Sequence, residues 1–252
     1  MNASKSSSSK SSSKYTPQKS SSTSTYVLGG LALLVIAAVV IGGVLWQNSR
    51  SQPRADGYGS VQNAAVTSSV DDDGVVRLGL PEATRTVDIY EDAMCPYCAE
   101  LENTYGQELA QKIDEGTIAV RYHMLDFLNQ LSPSGDYSTR AAAASQCVAA
   151  TGDGPAYSAF HSALFSPDFQ PEEKGSADHT ADELAARATE AGASDEAAQC
   201  ITDGTRVADA ATDAATGSAA LAAAGARGTP TVIVDGAIVD TTTNSAWVSD
   251  LG

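Results

Sequence analysis

One apolar run stands out at the front of the chain. Val27 to Trp46 (VLGGLALLVIAAVVIGGVLW) is 20 residues long and uncharged. At about 1.5 Å rise per residue, a helix of that length spans roughly 30 Å, the depth of a bilayer's hydrocarbon. The pattern predicts a transmembrane helix over 27–46 that acts as a signal-anchor. Tyr26 and Trp46 stand at its ends, where amphipathic rings favour the interface. A cleaved signal peptide is the alternative. Against it, the run exceeds the usual h-region of about 7–15 residues, and no small-x-small site follows Trp46.

Beyond the run the apolar spacing is that of a mixed α/β domain. Val75–Leu78 is a short apolar stretch, expected as an edge strand, and Thr86–Tyr90 (TVDIY) alternates as a second strand. Tyr97, Leu101, Tyr105, Leu109 and Ile113 recur every four residues, predicting a helix over Pro96–Glu115. Pro96 suits its first turn and Gly116 its end. Thr117–Met124 reads as a strand, completing a βαβ unit. Alanine-rich helices follow over Ser138–Ala150, Ala156–Leu164, Ala181–Ala191 and Asp195–Ala224, the last with breaks at Gly204 and Gly217. Thr231–Val234, the turn pair Asp235-Gly236 and Ala237–Val239 predict a hairpin, and Ser245–Leu251 a short final helix. The order implies an α/β sandwich with a helical insertion at about 138–225.

Charge orients this arrangement. The first 25 residues hold twelve serines and four lysines but no acid. A segment so poor in apolar residues cannot offset its chain entropy, so a disordered tail is expected over 1–26. The positive-inside rule places it in the cytoplasm, leaving a single-pass chain with an extracytoplasmic C-terminal domain. Residues 47–70 are expected as a flexible linker. The first 14, QNSRSQPRADGYGS, would have an end-to-end distance of about 20 Å. All 31 acidic residues lie beyond Trp46, and the whole chain carries a net charge of −16. That balance excludes a nucleic-acid partner, which needs clustered Lys and Arg. The 42% apolar content without a heptad excludes a wholly disordered chain and a coiled coil.

The chemistry concentrates at Cys95-Pro96-Tyr97-Cys98, where a strand hands over to a helix. In that register Cys95 sits exposed at the helix N-terminus, where unpaired N–H groups favour a thiolate. Cys98 lies in the first turn, less accessible but able to reach back. One sulfur can attack a substrate and the other resolve the mixed disulfide. A zinc half-site and a plain structural bridge are the alternatives; zinc normally requires four Cys/His ligands, and the other cysteines are remote.

TVDIYEDAMCPYCAELE, followed downstream by RGTPTVIVDG, resembles the thioredoxin superfamily, specifically membrane-anchored DsbA-like thiol:disulfide oxidoreductases. The resemblance covers about residues 71–252. It implies a thioredoxin-like fold, Cys95 as nucleophile, Cys98 as resolving cysteine, and a cis Thr229–Pro230 bond beside them that pairs with an extended substrate. An ordinary trans proline is the alternative. The dipeptide here is Pro-Tyr rather than the Pro-His of the most oxidising members, and Glu91, Asp92 and Glu100 add nearby negative charge, so a milder oxidant is expected. The position six before the first cysteine, a buried carboxylate in many thioredoxin-like proteins, is Ile89; Asp88 and Asp92 flank it and are expected as solvated acids.

Cys147 and Cys200 fall in the insertion, and in an oxidising compartment two such cysteines favour a structural disulfide over free thiols. His123, His161 and His179 are scattered and read as core or surface residues, without a hydrolase or metalloprotease pattern. No cofactor and no metal site is expected. The expected partners are exported unfolded or reduced proteins and a membrane redox partner for reoxidation, with the domain a monomer. Disulfide reduction or isomerisation, and a non-catalytic binding module or chaperone, are the competing functions.

Overall fold

The computed structural model describes residues 36, 39–40 and 53–252. The tail 1–26, most of the apolar run 27–46 and the first residues of the linker lie outside the described residues. Ile36, Val39 and Val40 are helical and exposed. No helix among the described residues is long and apolar enough to cross a membrane.

The domain is built on a six-stranded sheet in the order β1-β2-β4-β3-β5-β6. Its strands are β1 Thr67–Val70, β2 Val76–Gly79, β3 Thr86–Asp92, β4 Ala119–Leu125, β5 Thr231–Val234 and β6 Ala237–Val239. The helices are α1 Pro96–Asp114, α2 Tyr137–Ala149, α3 Gly154–Leu164, α4 Ala181–Glu190, α5 Asp195–Thr202 and α6 Val207–Ala223. Only β3 and β4 pair in parallel, as the α1 crossover between them requires; every other pairing is antiparallel. The expected α/β sandwich with a helical insertion is the architecture found.

Alternation along β3 decides which groups reach the site. Val87 and Ile89 are fully buried on one face, and Glu91 continues that row by the two-residue period. Tyr90 points the other way, joining Leu125 and Ile233 under Leu221 of α6. The row along α1 begins at Leu101 rather than Tyr97. Leu101, Tyr105, Leu109 and Ile113 are buried while Tyr97 is 68% exposed. A spacing of four overshoots the 3.6-residue turn, so the row drifts off the core face.

Three expectations need correction. Val76–Gly79 is not an edge strand: β2 sits between β1 and β4, and β1, within the expected linker, is the edge. Residues 53–70 are not a free tether. Asp114, at the end of α1, accepts from Tyr58 Oη, Gln62 N and Asn63 N at 2.7–3.0 Å. Arg54 bonds Glu108 at 2.7 Å, and Val61 and Val66 are buried. A carboxylate at a helix C-terminus opposes the macrodipole, and three donors from the strap offset that cost. Finally, Gly217 does not break α6. It lies within the helix, at a point where an added Cβ would meet Leu125 Cδ2 at 2.8 Å. The turn pair Asp235-Gly236 does act as expected, both residues having positive φ.

Cys147 of α2 and Cys200 of α5 form a disulfide across a sequence separation of 53. On the chain-entropy account, a loop of that size contributes about 4 kcal/mol. Replacing both cysteines by alanine is expected to lower the urea-unfolding free energy by about that amount. A change below about 1 kcal/mol would remove the bridge from the account of stability.

Candidate active site

Cys95 is the N-cap of α1, and Pro96 and Tyr97 open its first turn. The bend that places it there is held by Asp92 from behind: Cys95 N donates to Asp92 O at 2.9 Å, and Met94 N to Asp92 Oδ1 at 3.0 Å. The same carboxylate accepts from Ser138 Oγ at 2.6 Å and Leu128 N at 3.0 Å. Asp92 is therefore a fully buried hub joining β3, α2 and the segment after β4, and not the solvated acid expected. Burial pushes its carboxyl up to about 6, against the pull of those three donors. Asp88 is partly exposed and pairs with Arg121 at 3.1 Å and His123 at 2.8 Å.

The two sulfurs experience opposite surroundings. Both are free thiols in this structure. Cys95 is lowered to about 6: the hydrogen bond from the Cys98 thiol leads, burial opposes, and the Thr229 side chain and the N–H groups of Cys98 and Tyr97 add to the lowering. Burial raises the Cys98 thiol well above its usual range, reinforced by the hydrogen bond to Cys95 and by the charge of Glu91. At neutral pH Cys95 is mostly thiolate and Cys98 a thiol, the division of labour that two-step exchange needs.

Cys95 is less open than the sequence suggested. Its exposure is 5%, against 0% for Cys98. A wall causes this: Thr229 O lies 3.5 Å from Cys95 Sγ, and the Gln170 amide donates to Ala93 O and Cys95 O at 3.1 and 3.0 Å. The Thr229–Pro230 bond is cis, and Thr229 and Pro230 are half-buried. Cys95, Cys98, Pro96, Tyr97, Thr229 and Pro230 are thus brought together, whereas the Cys147–Cys200 bridge lies in the insertion.

A second group escaped notice in the sequence. Glu91, Glu102 and His161 converge in the interior, and all three are buried. Glu102 lies four residues after Cys98, on the same side of α1. Burial raises the Glu91 carboxyl, and Glu102 adds to the effect. Burial opposes charge on His161, but the carboxylates of Glu102 and Glu91 outweigh it and raise the imidazole. The spacing of Glu102 from Cys98 was legible; the partnership with His161 depends on how α3 packs. His123 stacks on Tyr90 at 4.0 Å, and His179 on Phe169 at 3.9 Å.

The Thioredoxin_4 family model, described as thioredoxin, matches residues 71–251. The chain belongs to this thioredoxin family. Among solved structures it is similar to the MdbA thiol-disulfide oxidoreductase of Corynebacterium diphtheriae, at 30% identity and a TM-score of 0.66, over 76% of this chain and 96% of that one. It is also similar to oxidised DsbA of Mycobacterium tuberculosis, at 31% identity and a TM-score of 0.59, over 74% and 90%. Such neighbours support a DsbA-like protein thiol:disulfide oxidoreductase. Among curated sequences it is 40% identical over 187 residues to the serine/threonine-protein kinase PknE of M. tuberculosis, over 74% of this chain. The match spans 33% of that kinase's length.

The asymmetry between the two sulfurs has a direct readout. The rate of Cys95 alkylation in the reduced protein is expected to follow a titration with midpoint about 6. In Cys98→Ala, which removes the leading hydrogen bond, the midpoint should move upward. A wild-type midpoint at the ordinary cysteine value, or no movement in the variant, would contradict the assignment.

Proposed function

We propose that the chain is a membrane-anchored, extracytoplasmic enzyme that introduces disulfides into exported proteins through Cys95 and Cys98. The observation that carries this reading is the pair of sulfurs at the start of α1 beside the cis Thr229–Pro230 loop, the outer one lowered by the hydrogen bonds it accepts and the inner one raised by burial. The similarity to the MdbA thiol-disulfide oxidoreductase supports it. The uncharged run at 27–46 supports the anchor, and the four lysines before it support the orientation.

The reaction begins with the Cys95–Cys98 disulfide closed. A substrate thiolate attacks Cys95 Sγ, the intramolecular S–S bond breaks, and Cys98 departs and takes up a proton, as its raised thiol favours. A second substrate thiolate then attacks the substrate sulfur of the mixed disulfide. Cys95 leaves as a thiolate, needing no proton because its thiol is lowered to about 6. Two electrons have passed from the substrate dithiol to the enzyme, and a membrane electron acceptor would remove them to restore the disulfide. Thiolate forms only in the reduced state, so lowering a cysteine makes its disulfide more oxidising. A value of about 6 lies well above the DsbA cysteine near 3.5. That direction agrees with a milder oxidant than the strongest members.

Substrate docks where Thr229 and Pro230 border Cys95. The low exposure of Cys95 and the loop backbone beside it suit an extended segment paired with that loop. Tyr97, near Cys95 in the chain and 68% exposed, offers an apolar surface for unfolded chains.

Cys98→Ala should leave Cys95 joined to its clients, because nothing resolves the mixed disulfide. Non-reducing electrophoresis of cells carrying the variant is expected to show high-mass adducts that collapse on reduction and vanish in Cys95→Ser. No adducts would sink the catalytic reading. Free thiols on the wild-type pair in resting cells would favour the reductase or isomerase direction instead.

A further inference from the structure

Three side chains from three elements meet inside the domain. Glu91 ends the inward row of β3, Glu102 comes from α1 one turn beyond Cys98, and His161 comes from α3. One donor atom from each lies within 4.8 Å of the other two. His161 Nε2 is 3.1 Å from Glu91 Oε2 and 3.7 Å from Glu102 Oε1. Despite this closeness, both Glu91 carboxylate oxygens, Glu102 Oε1 and both ring nitrogens of His161 are buried without an aligned hydrogen bond. Buried polar atoms in folded proteins nearly always have a partner. His161 Nε2 and the carboxylate oxygens beside it border one point and call for a ligand that they can share.

We propose that Glu91, Glu102 and His161 form a divalent-cation site, with zinc as its ion. Zinc–ligand bonds of about 2.0–2.2 Å in a tetrahedron put neighbouring donors about 3.4 Å apart. The two separations from His161 Nε2, 3.1 and 3.7 Å, bracket that value. Two carboxylates and a neutral imidazole balance a dication, leaving the buried site without net charge. Calcium takes six to eight oxygen ligands, and magnesium keeps several waters; a dry pocket with one nitrogen and two carboxylates serves neither. Zinc accepts imidazole and carboxylate together at low coordination number. Three protein donors leave a fourth position open.

The surrounding rings hold the imidazole in place. Tyr122 and Phe165 approach His161 at 4.0 and 5.1 Å between centroids, and Tyr157 stacks at 5.8 Å. A bound ion would tie β3, α1 and α3 together behind the redox pair. The inference rests on these side chains alone and holds whether or not Cys95 and Cys98 turn over.

The cysteines can also bind zinc when reduced, so the test closes their disulfide first. Full-length chain, oxidised and freed of metal, is incubated with excess zinc sulfate and passed through a desalting column before elemental analysis. Wild type is expected to retain a single zinc and to unfold at a higher temperature with it. Glu102→Gln and His161→Gln should each lose affinity by more than about 100-fold, beyond the cost of losing an outer-shell partner. Zinc-edge X-ray absorption on the wild type decides the matter if either variant misfolds: nitrogen and oxygen neighbours with one imidazole support the site. No retained zinc, equal retention by folded variants, or a sulfur neighbour would overturn it.

Discussion

Two thiols three residues apart at the start of a helix cannot share one environment. The helix turns the first towards its own unpaired N–H groups and rotates the second into the core. In this chain the first sulfur is therefore lowered and the second raised, each helped by the hydrogen bond between them. The remaining architecture serves to maintain that inequality. Asp92 holds the bend from β3 into α1 with four contacts, three of them to its carboxylate. The cis Thr229–Pro230 loop closes over Cys95 from the far end of the chain, and Gln170 of the insertion bonds the carbonyls that flank it.

Charge placed indoors is the second theme. The family's usual position for a buried acid holds Ile89, yet the row on β3 continues to Glu91, two residues on and facing the same way. Glu102 and His161 answer it from α1 and α3. This group lies close enough for the charge of Glu91 to oppose ionisation of Cys98, so the chemistry of the inner sulfur and the packing of the helical insertion are linked.

Much of this was legible from residue spacing. The strand at 86, the helix after Pro96, the parallel return strand, the alanine-rich helices and the final hairpin each follow from a period or a turn pair, and each is present. What misled the reading were residues whose partners are remote in sequence. Ser, Gln, Asn and Gly between 53 and 66 look like free linker, but Asp114, some 50 positions on, gathers their donors. Asp92 looks solvated until Leu128 and Ser138 arrive to bond it. Cys95 looks open until the loop at Thr229 folds across it. Gly217 resembles a helix break because its real constraint, the methyl of Leu125, belongs to another strand.

Oxidative refolding of a reduced, unfolded secreted protein tests the central claim most directly. With the oxidised chain as sole oxidant, disulfides should form in the client, at most one per enzyme molecule without a reoxidant, and Cys95→Ser should leave the client reduced. A client oxidised equally by Cys95→Ser, or left untouched by the wild type, would contradict the account.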